Sequence, residues 1–327
     1  MRLILGFPGQ GSQKAKIGQL LATKYPDSAG RVFRVADEVL DGLFSKVVWA
    51  ATSDAAKELS ATENTQPIVL ATSIATLEAL KQVQNFEITS ETTACLVGHS
   101  LGEFSCLVAS GSIGLEDALR IVRRRGEAMQ KAADRWGRTP AMSAVLGLSW
   151  EAAKEIQLSC PPGLLVEAAA ANGKEQTVLS GCDEGVAWGI DRAKKLHGAK
   201  RALKVNVSCP FHSTVMRVAA EEFTTHLMKT KLMSPSVPIC FGFDASVRSS
   251  PSEIRDALLK GMYSPVLWAD AVRQASSQFS PDNGAPLLFK EMGGETLRFG
   301  VSDVPGLHVG KPVRALPEDI AGFSREL

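Results

Sequence analysis

Apolar positions first cluster in a short run, Arg2 to Phe7, which Pro8 and Gly9 cut off; this predicts a buried strand. Helical spacing of apolar residues then covers Ile17 to Tyr25 and Arg31 to Leu40. Gln66-Pro67 precedes an apolar helix over Ile68 to Gln82, with the proline near its first turn. Thr93 to Val97 reads as a second buried strand ended by Gly98. Leu101 to Ser110 and Glu116 to Ala133 read as helices separated by a glycine-containing break. Strand and helix alternating in this way predict a mostly parallel sheet covered by helices.

The rhythm changes after Gly137. Met142 to Leu146 is a predicted strand, and Ser149 caps a helix through Leu158. Leu164 to Ala169 and Thr177 to Ser180 give two more strands. Asp183 caps a helix to Leu196, and Lys200 to Val205 is a last strand. The order β-α-β-β-α-β is that of the ferredoxin-like unit. Helix and strand alternate again after His212, so the unit reads as a small domain inserted into a larger one. From about Gly310 the chain carries too little pattern to assign.

A chain of 327 residues with 45% hydrophobic and 22% charged content is expected to be globular, with a sizeable core. A net charge of +1 argues against nucleic acid as a partner. No apolar run reaches 18 residues, and Arg2 to Phe7 is too short for a signal peptide, so no membrane association is expected. The six cysteines are scattered with no CxxC pair, the pattern of reduced buried thiols and not of a disulfide framework or metal site. A cytoplasmic location and a monomer follow as expectations.

The sharpest chemical signal is Gly98-His99-Ser100-Leu101-Gly102, a GxSxG between a hydrophobic strand and a helix. A turn of that kind presents a serine hydroxyl above a sheet, and the N–H of the next residue faces a developing oxyanion. An ordinary strand-to-helix turn is the alternative. The loop Phe7 to Gln13 lacks the spacing of either phosphate-binding glycine motif, which leaves a backbone-donor loop or a tight turn. A serine nucleophile needs a base, and there are five histidines. His99 lies inside the elbow and is expected to point elsewhere; His197, His226 and His308 fall on polar segments. His212 remains. Arg125, within Arg123-Arg-Arg-Gly126, can either clamp a substrate carboxylate or lie on a solvated basic face.

Taken together, Phe7-Pro-Gly-Gln-Gly-Ser-Gln13, Thr65-Gln-Pro67, Gly98-His-Ser-Leu-Gly-Glu103, Arg125-Gly126, Asn172, Phe211-His-Ser213 and Ser264-Pro-Val-Leu-Trp268 resemble the malonyl-CoA:acyl carrier protein transacylases. The same set marks acyltransferases of polyketide synthases, and the resemblance covers roughly residues 3 to 300. It implies that Ser100 forms an acyl ester and that His212 is its base. It implies an oxyanion hole from the N–H groups of Gln10 and Leu101, a carboxylate clamp at Arg125, and a site lined by Gln66, Asn172 and Phe211. A bulky ring at Phe211 is expected to favour malonyl over methylmalonyl. The resemblance also implies that the backbone at Leu267 orients the histidine, and that neither metal nor cofactor is needed beyond the coenzyme A thioester. The implied partners are malonyl-CoA and an acyl carrier protein. The implied fold class is α/β: an α/β-hydrolase-like large domain with a parallel sheet, residues 1–138 and 206–327, and an inserted ferredoxin-like small domain, residues 139–205.

Some positions depart from the family pattern. Leu267 stands where Gln or Arg is usual, Arg138 to Pro140 replaces a stretch of small residues, and Pro238 to Phe243 replaces an Asn-rich strand. Met292 to Glu295 stands for a Gly-Pro-Gly segment. An editing hydrolase of carrier-bound acyl groups is the alternative activity, and Arg125 argues against it because neutral acyl chains have no carboxylate to clamp. Lys194, Lys195, Lys200, Arg201 and Lys204 form either a docking patch for an acidic carrier or a solvated basic face.

Overall fold

The computed structural model describes residues 2–50, 55–280 and 285–326. In the first part of the chain come β1 (Leu3–Phe7), α1 (Gln19–Lys24), α2 (Ala29–Val39), α3 (Ala55–Ser60) and α4 (Thr62–Gln84). They are followed by β2 (Thr93–Gly98), α5 (Gly102–Ala109) and α6 (Leu115–Trp136). Every residue of β1 and β2 is buried, as expected of central parallel strands covered on both faces.

Helix α4 begins six residues earlier than the apolar pattern predicts, so Pro67 lies inside it. A proline there has no N–H for the carbonyl four residues back. That carbonyl, on Glu63, instead accepts from Arg123 Nη1 at 3.2 Å. A long-range guanidinium therefore supplies the donor that the proline lacks.

The middle of the chain builds β3 (Pro140–Leu146), α7 (Trp150–Leu158), β4 (Val166–Gly173), β5 (Gln176–Cys182), α8 (Asp183–His197) and β6 (Arg201–Val205). These strands form an antiparallel sheet in the order β4-β5-β3-β6, the ferredoxin-like arrangement. Ser149 caps α7, accepting from the Ala152 N–H at 3.2 Å. Asp183 does not cap α8: it is the first helical residue, and the Cys182 sulfur accepts from the Gly185 N–H at 3.4 Å. The Asp183 charge still sits at the positive end of the helix. Val145, Leu148, Ile156, Val166, Leu179 and Val186 belong to a small core of this unit. Met142, Ala169, Ala170 and Val178 instead join the main core.

The remainder comprises α9 (Arg217–Lys229), β7 (Ile239–Phe241), β8 (Ser246–Arg248), α10 (Pro251–Lys260), α11 (Trp268–Phe279), β9 (Leu287–Glu291), β10 (Leu307–Val309) and α12 (Pro317–Gly322). The large sheet runs β10-β9-β1-β2-β7-β8 and is parallel except for β8. Strand β9 carries Lys290, buried at 2% exposure with its ammonium 5.4 Å from the Phe323 ring centre. That lysine interrupts the apolar run and hides the strand in the sequence.

Candidate active site

Loops leaving the C-terminal ends of the adjacent strands β1 and β2 lie against each other, the place where open α/β sheets hold their ligands. The His99 N–H donates to the Phe7 carbonyl at 3.0 Å. A Cβ on Gly102 would stand 2.0 Å from the Phe7 carbonyl oxygen, and one on Gly9 would stand 2.7 Å from that of His99. Only hydrogen fits at either position, so the two glycines let the loops close on each other.

Between them Ser100 adopts φ +53°, the left-handed region that a side chain rarely enters. Such a conformation costs on the order of 1–3 kcal/mol and persists only where its surroundings impose it. The turn starts α5, with the Glu103 N–H on the Ser100 carbonyl at 3.1 Å. Neither the Gln10 nor the Leu101 N–H is taken up by a hydrogen bond among the described residues. Two unengaged donors at the mouths of these loops are suited to a developing oxyanion. The Gln10 side chain is held aside, its Oε1 accepting from Thr62 Oγ1 at 3.0 Å.

Arg125 enters from α6 and is buried. Its Nη2 donates to Ser100 Oγ at 3.1 Å and its Nη1 to Gln66 Oε1 at 2.7 Å. The Phe104 ring centre lies 5.7 Å from its central carbon, and Nε is buried without a partner among the described residues. Burial pulls the guanidinium down to about 10, against the opposing pull of Glu103, so it stays charged at neutral pH. Glu103 offers little neutralisation. Burial pushes its carboxyl up to about 7, despite the Gly242 N–H at 2.9 Å and the nearby Arg125 and Arg248. Among the described residues this buried cation is hydrogen-bonded only to an amide and a hydroxyl, an arrangement suited to receiving an anion. The solvated-face reading of Arg125 is thereby excluded, whereas Arg124, paired with Glu127, does lie on such a face.

His212 is buried and also left-handed, with φ +57°. Its Nδ1 bonds the Ser264 carbonyl at 3.0 Å. A carbonyl only accepts, so Nδ1 carries the proton and Nε2 keeps its lone pair. The family resemblance implies the orienting backbone at Leu267, three residues beyond the Ser264 carbonyl that does so here. The Leu267 N–H donates to Gly242, and Leu267 opens α11. Burial lowers His212 to about 3, helped by Arg125 and His99, so it is neutral at working pH. The influence of Arg125 on His212 puts the imidazole and the guanidinium in one electrostatic site.

His99 does turn away from Ser100. Its Nε2 meets Asn172 Oδ1 at 3.0 Å, and its ring lies 5.8 Å from that of Trp268. His99, Asn172, Gln10, Trp268 and Phe299 line a cavity of about 230 Å³ beside the elbow. Phe211 is buried and, with Gln10, borders a smaller cavity of about 40 Å³. A larger cavity of about 460 Å³ runs from Arg31 to Asp117 and touches neither Ser100 nor His212. Sequence reasoning missed the wall that carries Thr296 and Leu297. Glu291 holds that wall through N–H bonds of 2.7 and 2.8 Å, and the Trp268 indole bonds the Leu297 carbonyl at 3.2 Å.

Burial pushes the Cys95 and Cys209 thiols up to about 12. No cluster of metal-ligating side chains occurs among the described residues. No helix there is long and apolar enough to cross a membrane.

Residues 6–285 match the family model described as an acyl transferase domain. The chain is 39% identical to the malonyl CoA-acyl carrier protein transacylase of Bacillus subtilis, over 82% of this chain and 81% of that protein. It is 34% identical to the Escherichia coli protein of the same name, over 83% and 84%. Among solved structures, a malonyl-transacylase in complex with its type II polyketide synthase acyl carrier protein superposes with a TM-score of 0.87 at 29% identity, covering all of both chains. The malonyl-CoA:acyl carrier protein transacylase of Xanthomonas oryzae does so with 0.87 at 30%, over 100% of this chain and 99% of that one.

Proposed function

The chain belongs to the acyl transferase family, and from that premise we propose that it moves a malonyl group from coenzyme A to the phosphopantetheine thiol of an acyl carrier protein through an ester on Ser100. The observation that carries this reading is the Arg125 guanidinium, buried with no ion pair to a carboxylate among the described residues and 3.1 Å from the serine oxygen. It places a fixed positive charge one short acyl chain from the nucleophile, the distance at which the free carboxylate of a malonyl thioester must be held.

In the first half-reaction the carboxylate takes Arg125, and Ser100 Oγ attacks the thioester carbonyl. His212 Nε2 accepts the serine proton, while the N–H groups of Gln10 and Leu101 hold the oxyanion. Collapse breaks the C–S bond, and the proton leaves on the coenzyme A sulfur. In the second half the carrier thiol gives its proton to His212 and attacks the ester, and Ser100 regains the proton. The Ser264 carbonyl keeps Nδ1 protonated throughout, so Nε2 is the nitrogen that exchanges protons. Gln66 fixes the guanidinium, Asn172 fixes His99 on the cavity wall, and Phe211 closes the pocket beside the base.

We place the boundaries of the inserted small domain at residues 139–205. The basic residues at the end of α8 and along β6 are the proposed dock for the acidic carrier. Lys195 pairs with Asp191 at 3.0 Å and Lys200 with Glu175 at 3.9 Å; both pairs are solvent-exposed, the kind that is weak and readily exchanged for another partner.

The reading is tested by mixing the protein with malonyl-CoA and a phosphopantetheinylated carrier and following the acyl group. Malonyl carrier should accumulate with ping-pong kinetics. Free malonate forming as fast without a carrier as with one would instead make the protein a hydrolase.

A further inference from the structure

Strand β4 lies at the edge of the small sheet, and its outer side meets all three segments that carry the chemistry. The Val266 N–H donates to the Ala169 carbonyl at 2.9 Å, and the Ala171 N–H donates to the Val266 carbonyl at 2.8 Å. That joins β4 to the segment whose Ser264 carbonyl holds His212. Further along, Asn172 meets His99 beside the nucleophile. At its start, Glu167 accepts from the Thr214 N–H at 2.9 Å and from Thr214 Oγ1 at 2.5 Å. Thr214 is two residues after His212 and opens a helical turn that runs into α9. The pairing of β4 with β5 is interrupted by register shifts at Ala168/Ala170 and Ala171/Gly173, in the stretch that makes the Val266 and His99 contacts.

The left-handed backbone of His212 has to be imposed by its neighbours. Upstream, the turn is tied by Ser213 Oγ on the Pro210 carbonyl at 2.6 Å. The ring is tied by Ser264. Downstream, the first helical N–H has no intrahelical partner, and Glu167 fills that place with a carboxylate at the positive end of the turn.

We propose that Glu167 is the positioning residue of the base: through Thr214 it locks the His212 turn to the small domain, so that the ring stays on the Ser264 carbonyl with Nε2 free to act as the base. Glu167 touches neither substrate nor reacting atoms. The inference rests on the reading of His212 as the base.

The test compares Glu167→Ala, Glu167→Gln, Thr214→Val and His212→Ala for the rate of Ser100 acylation by malonyl-CoA across pH, with thermal melting run in parallel. Glu167→Ala should lower kcat about tenfold while KM for malonyl-CoA stays within about twofold. Its acid limb should move upward, because a displaced imidazole leaves the groups that hold it neutral: the apolar wall, Arg125 and His99. Glu167→Gln keeps an acceptor for Thr214 and should recover most of the rate. Thr214→Val keeps the N–H bond and should show a smaller loss in the same direction. If Glu167→Ala does not fold, this pair carries the comparison. Wild-type rate and pH profile in folded Glu167→Ala, or equal loss in the Gln and Ala variants, would overturn the proposal. Full acylation by His212→Ala would overturn the base itself, and that outcome is distinct from both.

Discussion

Ser100 Oγ accepts a hydrogen bond from Arg125. In the proposed mechanism a substrate carboxylate takes over that donor, so that binding of the correct acyl group and release of the nucleophile are one event. Arg125→Ala should reduce kcat/KM for malonyl-CoA by about 2–5 kcal/mol, the cost of losing one partner of a desolvated charge pair. Acetyl-CoA should be used as well as before or better. Equal losses for the two substrates would give Arg125 a structural role only. His212 predicts the pH behaviour. Its folded value, about 3, lies below the ordinary 6.5, so between these values the unfolded chain binds more protons than the folded one. The stability it contributes is present above about pH 6.5 and is lost as pH falls toward 3. His212 stays neutral well above its folded value, so it should add no step to acylation kcat/KM in the free enzyme from about pH 5 to 8; Glu103, at about 7 beside Arg125, is the group that titrates in that range. A step near pH 6.5 that persists in Glu103→Gln would mean an imidazole in contact with water.

Among the elements, those that positioned Ser100 were legible in sequence because local rules determine them: an apolar strand, a GxSxG turn, then a helix. Others depend on distant groups. The start of α4 was hidden because Pro67 signals a boundary, and only the fold brings Arg123 to the Glu63 carbonyl. Strand β9 was hidden by Lys290, and the histidine-orienting carbonyl fell at Ser264 because backbone acceptors leave no mark on residue type. Glu167 had no local signal at all. Arg123→Met should destabilise the protein by about 1–2 kcal/mol, since it orphans a carbonyl. Pro67→Ala should recover part of that loss by restoring the helical N–H. Urea melts of the two single variants and the double variant measure the coupling. Strict additivity would remove Arg123 from the account of this helix.

For the whole molecule, the proposed mechanism takes its nucleophile and oxyanion donors from the large sheet, while the ferredoxin-like unit meets the His99 and Val266 segments along β4 and leads, through β6, into the segment bearing His212. A carrier docked on the basic edge of that unit would enter beside the base. Reversing Lys194 and Arg201 to Glu should raise KM for the carrier severalfold and weaken its salt dependence, with Ser100 acylation by malonyl-CoA unchanged. Unaltered carrier kinetics would return these residues to a solvated face. All of this presupposes a covalent ester on one serine. Intact-mass spectrometry of the protein and of Ser100→Ala after brief exposure to malonyl-CoA reads that ester directly. The protein should gain a single malonyl group and the alanine variant none; stoichiometric labelling of Ser100→Ala would contradict the mechanism at its first step.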